Sequence, residues 1–345
     1  MEIIEVQSLP LYEVIRDIAE AFKVKYKENC GEYHVNIPKR LGKGYIKGIN
    51  FDGGFGILIY QCTFNQDIEF HFVVDEVHPL KFLYCLRGVL HHRFQNGDTY
   101  NAIEQYQSSI VASKSTNGHI LHFAANIEIQ IGSLELNRAE FQSKVNCELK
   151  SLSPELKKLF SDKLALEEFY HNGYYSLQIA DLFQQIEEFK KNDFIRRIFL
   201  EGQAYDILTH QIVQYHDDTY ENNGNNILRS HEVAMIKKAT NLIDFGLSDL
   251  ESVDQLAEDV GLNVNKLQAG FKQLHQTTVN GYIHRRRMIH AQTLLNDTDF
   301  NISEIVDKLG LSSKSYFSKI FKETYGITPS EFRKSNKNLF LSKQK

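Results

Sequence analysis

Residues 301–333 read NISEIVDKLGLSSKSYFSKIFKETYGITPSEFR, and the stretch has the outline of a helix, a tight turn and a second helix. Asn301 is placed to cap the first helix, with Glu304 three residues on to complete a capping box. Ile302, Ile305, Val306 and Leu309 then fall on one face at helical spacing. Gly310 follows as the helix breaker. Ser312 or Ser313 can cap the next helix, whose apolar positions are Tyr316, Phe317, Ile320 and Phe321. Lys314, Ser315, Ser318 and Lys319 lie off that stripe. A short helix, a glycine turn and a second helix with a polar, basic face is the helix-turn-helix pattern.

The pattern occurs twice. Residues 252–283 read SVDQLAEDVGLNVNKLQAGFKQLHQTTVNGYI. Ser252 with Gln255 repeats the capping box, and Val253, Leu256, Ala257 and Val260 repeat the apolar face. Gly261-Leu262 matches Gly310-Leu311, Phe271-Lys272 matches Phe321-Lys322, and Tyr282 matches Phe332. Between the copies, Met288, Ala291, Leu294 and Leu295 mark a helix buried on one side. A linker helix of about 14 residues would extend about 20 Å. That length suits two recognition helices in successive major grooves on one face of a duplex.

Over roughly residues 230–335, about a third of the chain, the sequence resembles the AraC/XylS family of bacterial transcription regulators. The diagnostic part is Ser315-Tyr316-Phe317-Ser318-Lys319-Ile320-Phe321-Lys322, then Gly326-Ile327-Thr328-Pro329-Ser330-Glu331-Phe332-Arg333. The resemblance implies a module that binds double-stranded promoter DNA through both motifs. It puts base-facing positions at Asn265, Gln268 and Ala269 in the first recognition helix, and at Lys314, Ser315 and Lys319 in the second. An amide such as Gln268 can bond adenine through both its donor and its acceptor. Ser318, Lys272, Arg285, Lys322 and Arg333 are further candidates for DNA contact. Many members carry a long basic or polar side chain where this chain has Ala269-Gly270. The string Lys266-Leu267-Gln268-Ala269-Gly270-Phe271-Lys272 resembles the siderophore-responsive branch, the pyochelin and yersiniabactin regulators.

Composition fits an ordinary globular protein, with 345 residues, 42% hydrophobic, and a net charge of -5. The negative total hides an uneven distribution. From Gly261 onward there are about 14 Lys and Arg against about 6 Asp and Glu, a local surplus of about +8. A basic end on an acidic chain binds phosphate while the remainder stays away from DNA. No apolar run approaches the roughly 18 residues of a membrane span, and residues 1–20 alternate charged and apolar residues, unlike a signal peptide. The expected location is cytoplasmic. Cys30, Cys62, Cys85 and Cys147 are scattered, which favours buried free thiols over a disulfide or zinc framework.

Ahead of the helical module the pattern differs. Leu11, Val14, Ile15, Ile18 and Phe22 predict an amphipathic helix near 10–25. From Tyr33 to Phe141 short strands alternate with turns, among them Asp52-Gly53-Gly54 and Asn96-Gly97. The spacing suggests a sandwich or small barrel, and its layout resembles the cupin-like effector barrel that regulators of this family carry. His71, His78, His91, His92, His119 and His122 raise a metal reading. A regular strand would point adjacent His91 and His92 to opposite faces, and no nearby carboxylate completes a metal set. Gly42-Lys43-Gly44 lacks the order of a phosphate loop. No nucleophile triad and no reactive-cysteine motif stands out, so neither an enzyme nor an alkyl-transfer repair protein is expected, and neither cofactor nor metal. Residues 153–217 turn helical, and family precedent makes helices at this position a homodimer contact.

The expected fold is a multidomain α+β chain. Residues 1–150 form an N-terminal helix and cupin-like β-barrel or sandwich, 151–216 a helical dimerisation segment, and 217–230 a linker. Residues 231–337 form an all-α module with helix-turn-helix motifs at about 252–275 and 301–325. The expected function is an AraC-type transcription activator answering to a small-molecule effector in the barrel, an iron–siderophore being the first candidate, with RNA polymerase as partner. The competing expectation is a ligand-independent regulator whose barrel only dimerises.

Overall fold

The computed structural model describes residues 1–73, 77–145, 149, 152–191, 193–220, 228, 230–250 and 252–334. The chain divides into two compact units, Met1–Asn225 and Asn226–Lys345. The first opens with β1 (Glu2–Val6) and α1 (Leu11–Phe22). Then come β2 (Tyr26–Asn29), β3 (Glu32–Asn36), β4 (Gly42–Phe51), β5 (Phe55–Phe64), β6 (Ile68–Phe72) and β7 (Leu80–Arg87). β8 (Leu90–Phe94), β9 (Asn101–Ile103), β10 (Gln107–Ala112), β11 (His119–Phe123) and β12 (Glu128–Leu136) follow. After α2 (Arg138–Val145) and α3 (Pro154–Ser161) the unit ends with β13 (Phe169–Tyr175), α4 (Leu177–Glu188) and α5 (Asp193–Tyr220).

These strands make two sheets, ordered β1-β6-β11-β8-β9 and β13-β10-β7-β12-β5-β4-β3-β2. Alternation along each strand sends one set of side chains between the sheets. Phe70 and Phe123 of the smaller sheet meet Tyr60 of the larger at ring-centroid distances of 5.7 and 5.4 Å. The opposite face of the larger sheet carries Ile57, Ile59, Phe82, Tyr84 and Leu134, buried against Leu156, Phe160, Phe183, Ile207 and Leu208 of α3, α4 and α5. The expected stripe of α1, Leu11, Val14, Ile15, Ile18 and Phe22, is buried in the inter-sheet core. Each such side chain contributes about 1.5–3 kcal/mol when fully withdrawn from water.

Gly42 and Gly44 belong to β4, where they face backbone. A Cβ on either would sit 2.1 Å from the Thr63 carbonyl oxygen or 2.0 Å from that of Gln61. They let two strands cross closely, so the superficial phosphate-loop pattern has a structural cause.

Several expectations need correction. Residues 2–6 form a strand, paired in parallel with β6. The segment read as wholly helical after residue 151 contains β13, which completes the edge of the larger sheet beside β10. Helix α5 runs unbroken to Tyr220, so Asp217–Tyr220 are helix and not linker. Of the expected linker, residues 221–227 and 229 lie outside the described residues, as does Cys147. Cys62 and Cys85 are buried free thiols, but Cys30 is exposed in the turn between β2 and β3.

The second unit holds α6 (Ser230–Phe245), α7 (Val253–Val260), α8 (Val264–His275), α9 (Val279–Asp297), α10 (Ile302–Lys308) and α11 (Lys314–Tyr325). Asn301 and Glu304 form the full capping box. The upstream copy forms half of one. Ser252 accepts from the Gln255 amide, while the Gln255 side chain donates to Asp259 at 2.9 Å. Gly261 and Gly310 end the first helix of each pair at φ 78° and 63°, the left-handed region that costs glycine nothing. Ser313, and not Ser312, caps α11. The linker helix α9 has 19 residues, longer than expected, or about 28 Å.

Candidate nucleic-acid interface

Helix α9 organises the second unit. Its first half buries Val279, Tyr282 and Ile283. Tyr282 packs with its ring centroid 5.5 Å from Phe271 and 4.6 Å from His275. Its second half buries Met288, Ala291, Leu294 and Leu295 in one cluster with Ile305, Val306, Leu309, Phe317, Ile320 and Phe321. Both helix pairs are therefore seated on one rod. Tyr282 and Arg286 also reach back to Asp244 of α6, at 3.2 and 2.7 Å.

Burial of one face fixes which side chains remain outward. On α8, Leu267, Gly270, Phe271, Leu274 and His275 are buried. Asn265, Ala269 and Lys272 are exposed, while Gln268 is half-buried. The Gln268 side-chain oxygen accepts from the Val279 amide at 3.2 Å, which spends one of its two lone pairs and fixes the side chain against the start of α9. Lys266 is held by Glu232 at 2.5 Å. Gly270, the departure seen in sequence, packs inward: a Cβ there would lie 1.9 Å from Ile236 Cδ1. It is a close crossing of α6 and α8 and takes nothing from the outward face.

On α11, Phe317, Ile320 and Phe321 are buried, while Lys314, Ser315, Lys319 and Lys322 are exposed and Ser318 is half-buried. Tyr316, read from sequence as a core position, is 52% exposed. Its place at the edge of the apolar stripe turns it outward, one turn before Lys319. Lys319 lies 4.0 Å from Glu323 with both side chains more than half exposed, a pairing too solvated to compete with a phosphate. Arg285 is exposed on α9. Arg333 is half-buried, with Nε and Nη2 enclosed, so it is set into the fold more than the other cationic candidates.

His275 is buried and its Nε2 lies 2.9 Å from the Thr240 hydroxyl. Burial first, then the charges of Lys237 and Arg285, push its pKa down to about 3. It is a neutral core histidine holding α8 against α6.

Of the six histidines singled out from sequence, the five on strands divide by alternation. The register sets Glu69, His122 and His91 side by side across β6, β11 and β8. His71 bonds Glu69 at 2.7 Å on that outward face. His92 and His119 point inward and are buried, and His78 is buried beside them. No group of three or more metal donors stands in a metal-holding arrangement among the described residues.

Comparison with known proteins follows the same division. Residues 256–335 match the family described as a helix-turn-helix domain, and residues 43–224 match the regulatory protein PchR N-terminal domain. The regulatory protein PocR of Salmonella typhimurium is 37% identical over 98 residues, 28% of this chain and 32% of that protein. The xylose operon regulatory protein of Escherichia coli K12 is 35% identical over 89 residues, 26% of this chain and 23% of that protein. This chain thus spans a third or less of the length of each. A crystal structure of an AraC-type regulator from Chromobacterium violaceum is 28% identical, covers 31% of this chain and 96% of its own, and has a TM-score of 0.29.

Proposed function

The chain belongs to the AraC/XylS family, within the group that carries the PchR-type N-terminal domain, and from that membership we propose that it is a sequence-specific DNA-binding transcription regulator. Its two helix pairs act as two helix-turn-helix motifs, and α8 and α11 enter successive major grooves of promoter DNA. Asn265, Gln268, Ala269, Lys314, Ser315 and Tyr316 face base edges. Lys272, Arg285, Ser318, Lys319 and Lys322 hold phosphates, and Arg333 supports them from its half-buried place. The reading rests on one observation above all: α10 and α11 bury their apolar stripes on α9, α8 of the first pair packs on the same helix, and Lys272, Lys314, Lys319 and Lys322 are left exposed. The protein acts in the cytoplasm, without catalysis, and contacts RNA polymerase as an activator.

The test is a salt titration of promoter binding. Each phosphate neutralised adds about 0.9 to the slope of log K against log salt. Lys319→Ala is expected to weaken promoter binding and lower the slope by about 1. An unchanged slope would remove Lys319 from the interface, and no promoter binding by the intact chain at low salt would remove the function.

The two-sheet unit is read as the cupin-like effector barrel, with a small molecule altering DNA occupancy through a homodimer. Phe194, Ile195 and Ile198 are 68%, 58% and 57% exposed at the start of α5, a surface suited to a second copy. The same observation supports the alternative, a ligand-independent regulator whose barrel only dimerises. That alternative also draws on the small size of the cavity beside Lys81, about 10 Å³. Promoter occupancy that responds to no small molecule, iron chelates included, would favour it.

A further inference from the structure

We propose that the buried polar end of the space between the two sheets is an oxyanion site, where the carboxylate of a small molecule takes the place of Glu135 beside Lys81 and accepts a hydrogen bond from His119. The inference rests on the effector reading above and names the chemistry of its site.

The inter-sheet core is apolar at one end and polar at the other. Lys81 and Glu135 are cross-strand neighbours on β7 and β12, are 3% and 6% exposed, and form an ion pair. The Lys81 ammonium lies 4.7 Å over the Phe72 ring, and Phe72 stacks on His119 at 4.8 Å. His92 follows at 5.8 Å, with Tyr170 stacked on its far side at 5.5 Å. The cavity of about 10 Å³ is bounded by Lys81, Glu135, His78, His119, Ser8 and Leu9, among others. That volume holds one water-sized group, so a functional group enters and a whole chelate does not unless the walls move.

Hydrogen-bonding capacity here is unspent. His119 is fully buried; its Nδ1 lies 3.2 Å from the Ser113 hydroxyl, and its Nε2 has no hydrogen-bond partner among the described residues. With Ser113 donating to Nδ1, the ring proton sits on Nε2 as a free donor. Neither ring nitrogen of His92 has a hydrogen-bond partner among the described residues either, at 0% exposure. Each unmet buried polar group costs about 1–3 kcal/mol.

The charge decides the class of guest. Imidazoles invite a metal ion, but once Glu135 is displaced the Lys81 ammonium opposes a cation, and burial first, then the Lys81 charge, keeps His92 and His119 neutral. Neutral imidazole N–H groups beside an ammonium suit a carboxylate oxygen. Glu135 supplies one in the closed arrangement and is the internal competitor.

The test uses the full chain labelled with nitrogen-15 histidine, titrated with sodium acetate and sodium benzoate against sodium chloride at equal ionic strength. The expected result is a saturable shift of the His119 and His92 ring signals with either carboxylate. Glu135→Gln, which removes the competitor, is expected to bind about tenfold tighter. The double variant Lys81→Met with Glu135→Gln is expected to lose the response without leaving a buried carboxylate unpaired. No shift in the wild-type chain, or no gain with Glu135→Gln, overturns the proposal. So does phosphate binding more tightly than both carboxylates, or zinc chloride occupying the imidazoles instead. Promoter affinity measured on the same samples separates the two readings. A ring shift without a change in promoter affinity supports the site and removes the effector role. A promoter response without a ring shift supports an effector and removes this site.

Discussion

Gly270 joins α6 to α8 by having no side chain. Its missing Cβ would lie 1.9 Å from Ile236 Cδ1 and 2.8 Å from Cγ1. Gly270→Ala is therefore expected to lose about 1 kcal/mol or more, because overpacking outweighs the gain in helix propensity. Adding Ile236→Val deletes the obstructing methyl and is expected to recover most of it, a coupling that a double-mutant cycle in denaturant would read. Equal losses in the two backgrounds would sink the assignment. The sequence alone marked Gly270 as a departure on a reading helix, because spacing gives a face only to within a residue. Tyr316 sits at the same kind of edge and was assigned inward. Arg333 was grouped with exposed cations, since nothing in a charge count reports half-burial.

At the scale of elements, the histidine between α6 and α8 sets a pH dependence. The folded unit holds His275 at a pKa of about 3, below the roughly 6.5 of an unfolded histidine. The unfolded chain therefore takes the extra proton first. The stability that His275 supports is complete above about pH 6.5 and falls toward pH 3, by up to about 1.4 kcal/mol per unit. Melting curves between pH 7 and 4 should show a steeper loss for the wild-type chain than for His275→Phe; parallel curves would refute it. Elements with strong local signals were legible. The stripe of α1, the capping box at Asn301, and the glycine stops of both pairs need only neighbours in sequence. β1 and β13 were not legible, because each is an edge strand defined by a distant partner, β6 or β10. Half of the second capping box failed because Gln255 had a better acceptor in Asp259, one turn ahead.

Across the whole molecule, the outward apolar residues of α5 carry the expectation of a homodimer. Gly202 sits on the same helix with no atom within 4 Å of its would-be Cβ, room for another helix to cross closely. Ile198→Asp is expected to turn a dimer into a folded monomer, measured by sedimentation with circular dichroism as the folding control; a wild-type chain that sediments as a monomer would end the proposal. Ile195 and Ile198 have the periodicity of a core stripe, and only the completed sheet shows that the core is already filled from the other side of α5, by Leu200, Ala204, Ile207 and Leu208.

Because α9 is a single rod shared by both helix pairs, the interval between them is machined into the protein. One residue inserted between His284 and Arg287 would swing one pair by about 100° and slide it about 1.5 Å, whereas seven would restore the phase after about two turns. On the proposed function, the first insertion should abolish promoter recognition. The second should shift preference to operators with wider-set half-sites, readable by selection from random DNA. A tethered pair of domains would tolerate both; here the genome's sites must be cut to the gauge of the helix.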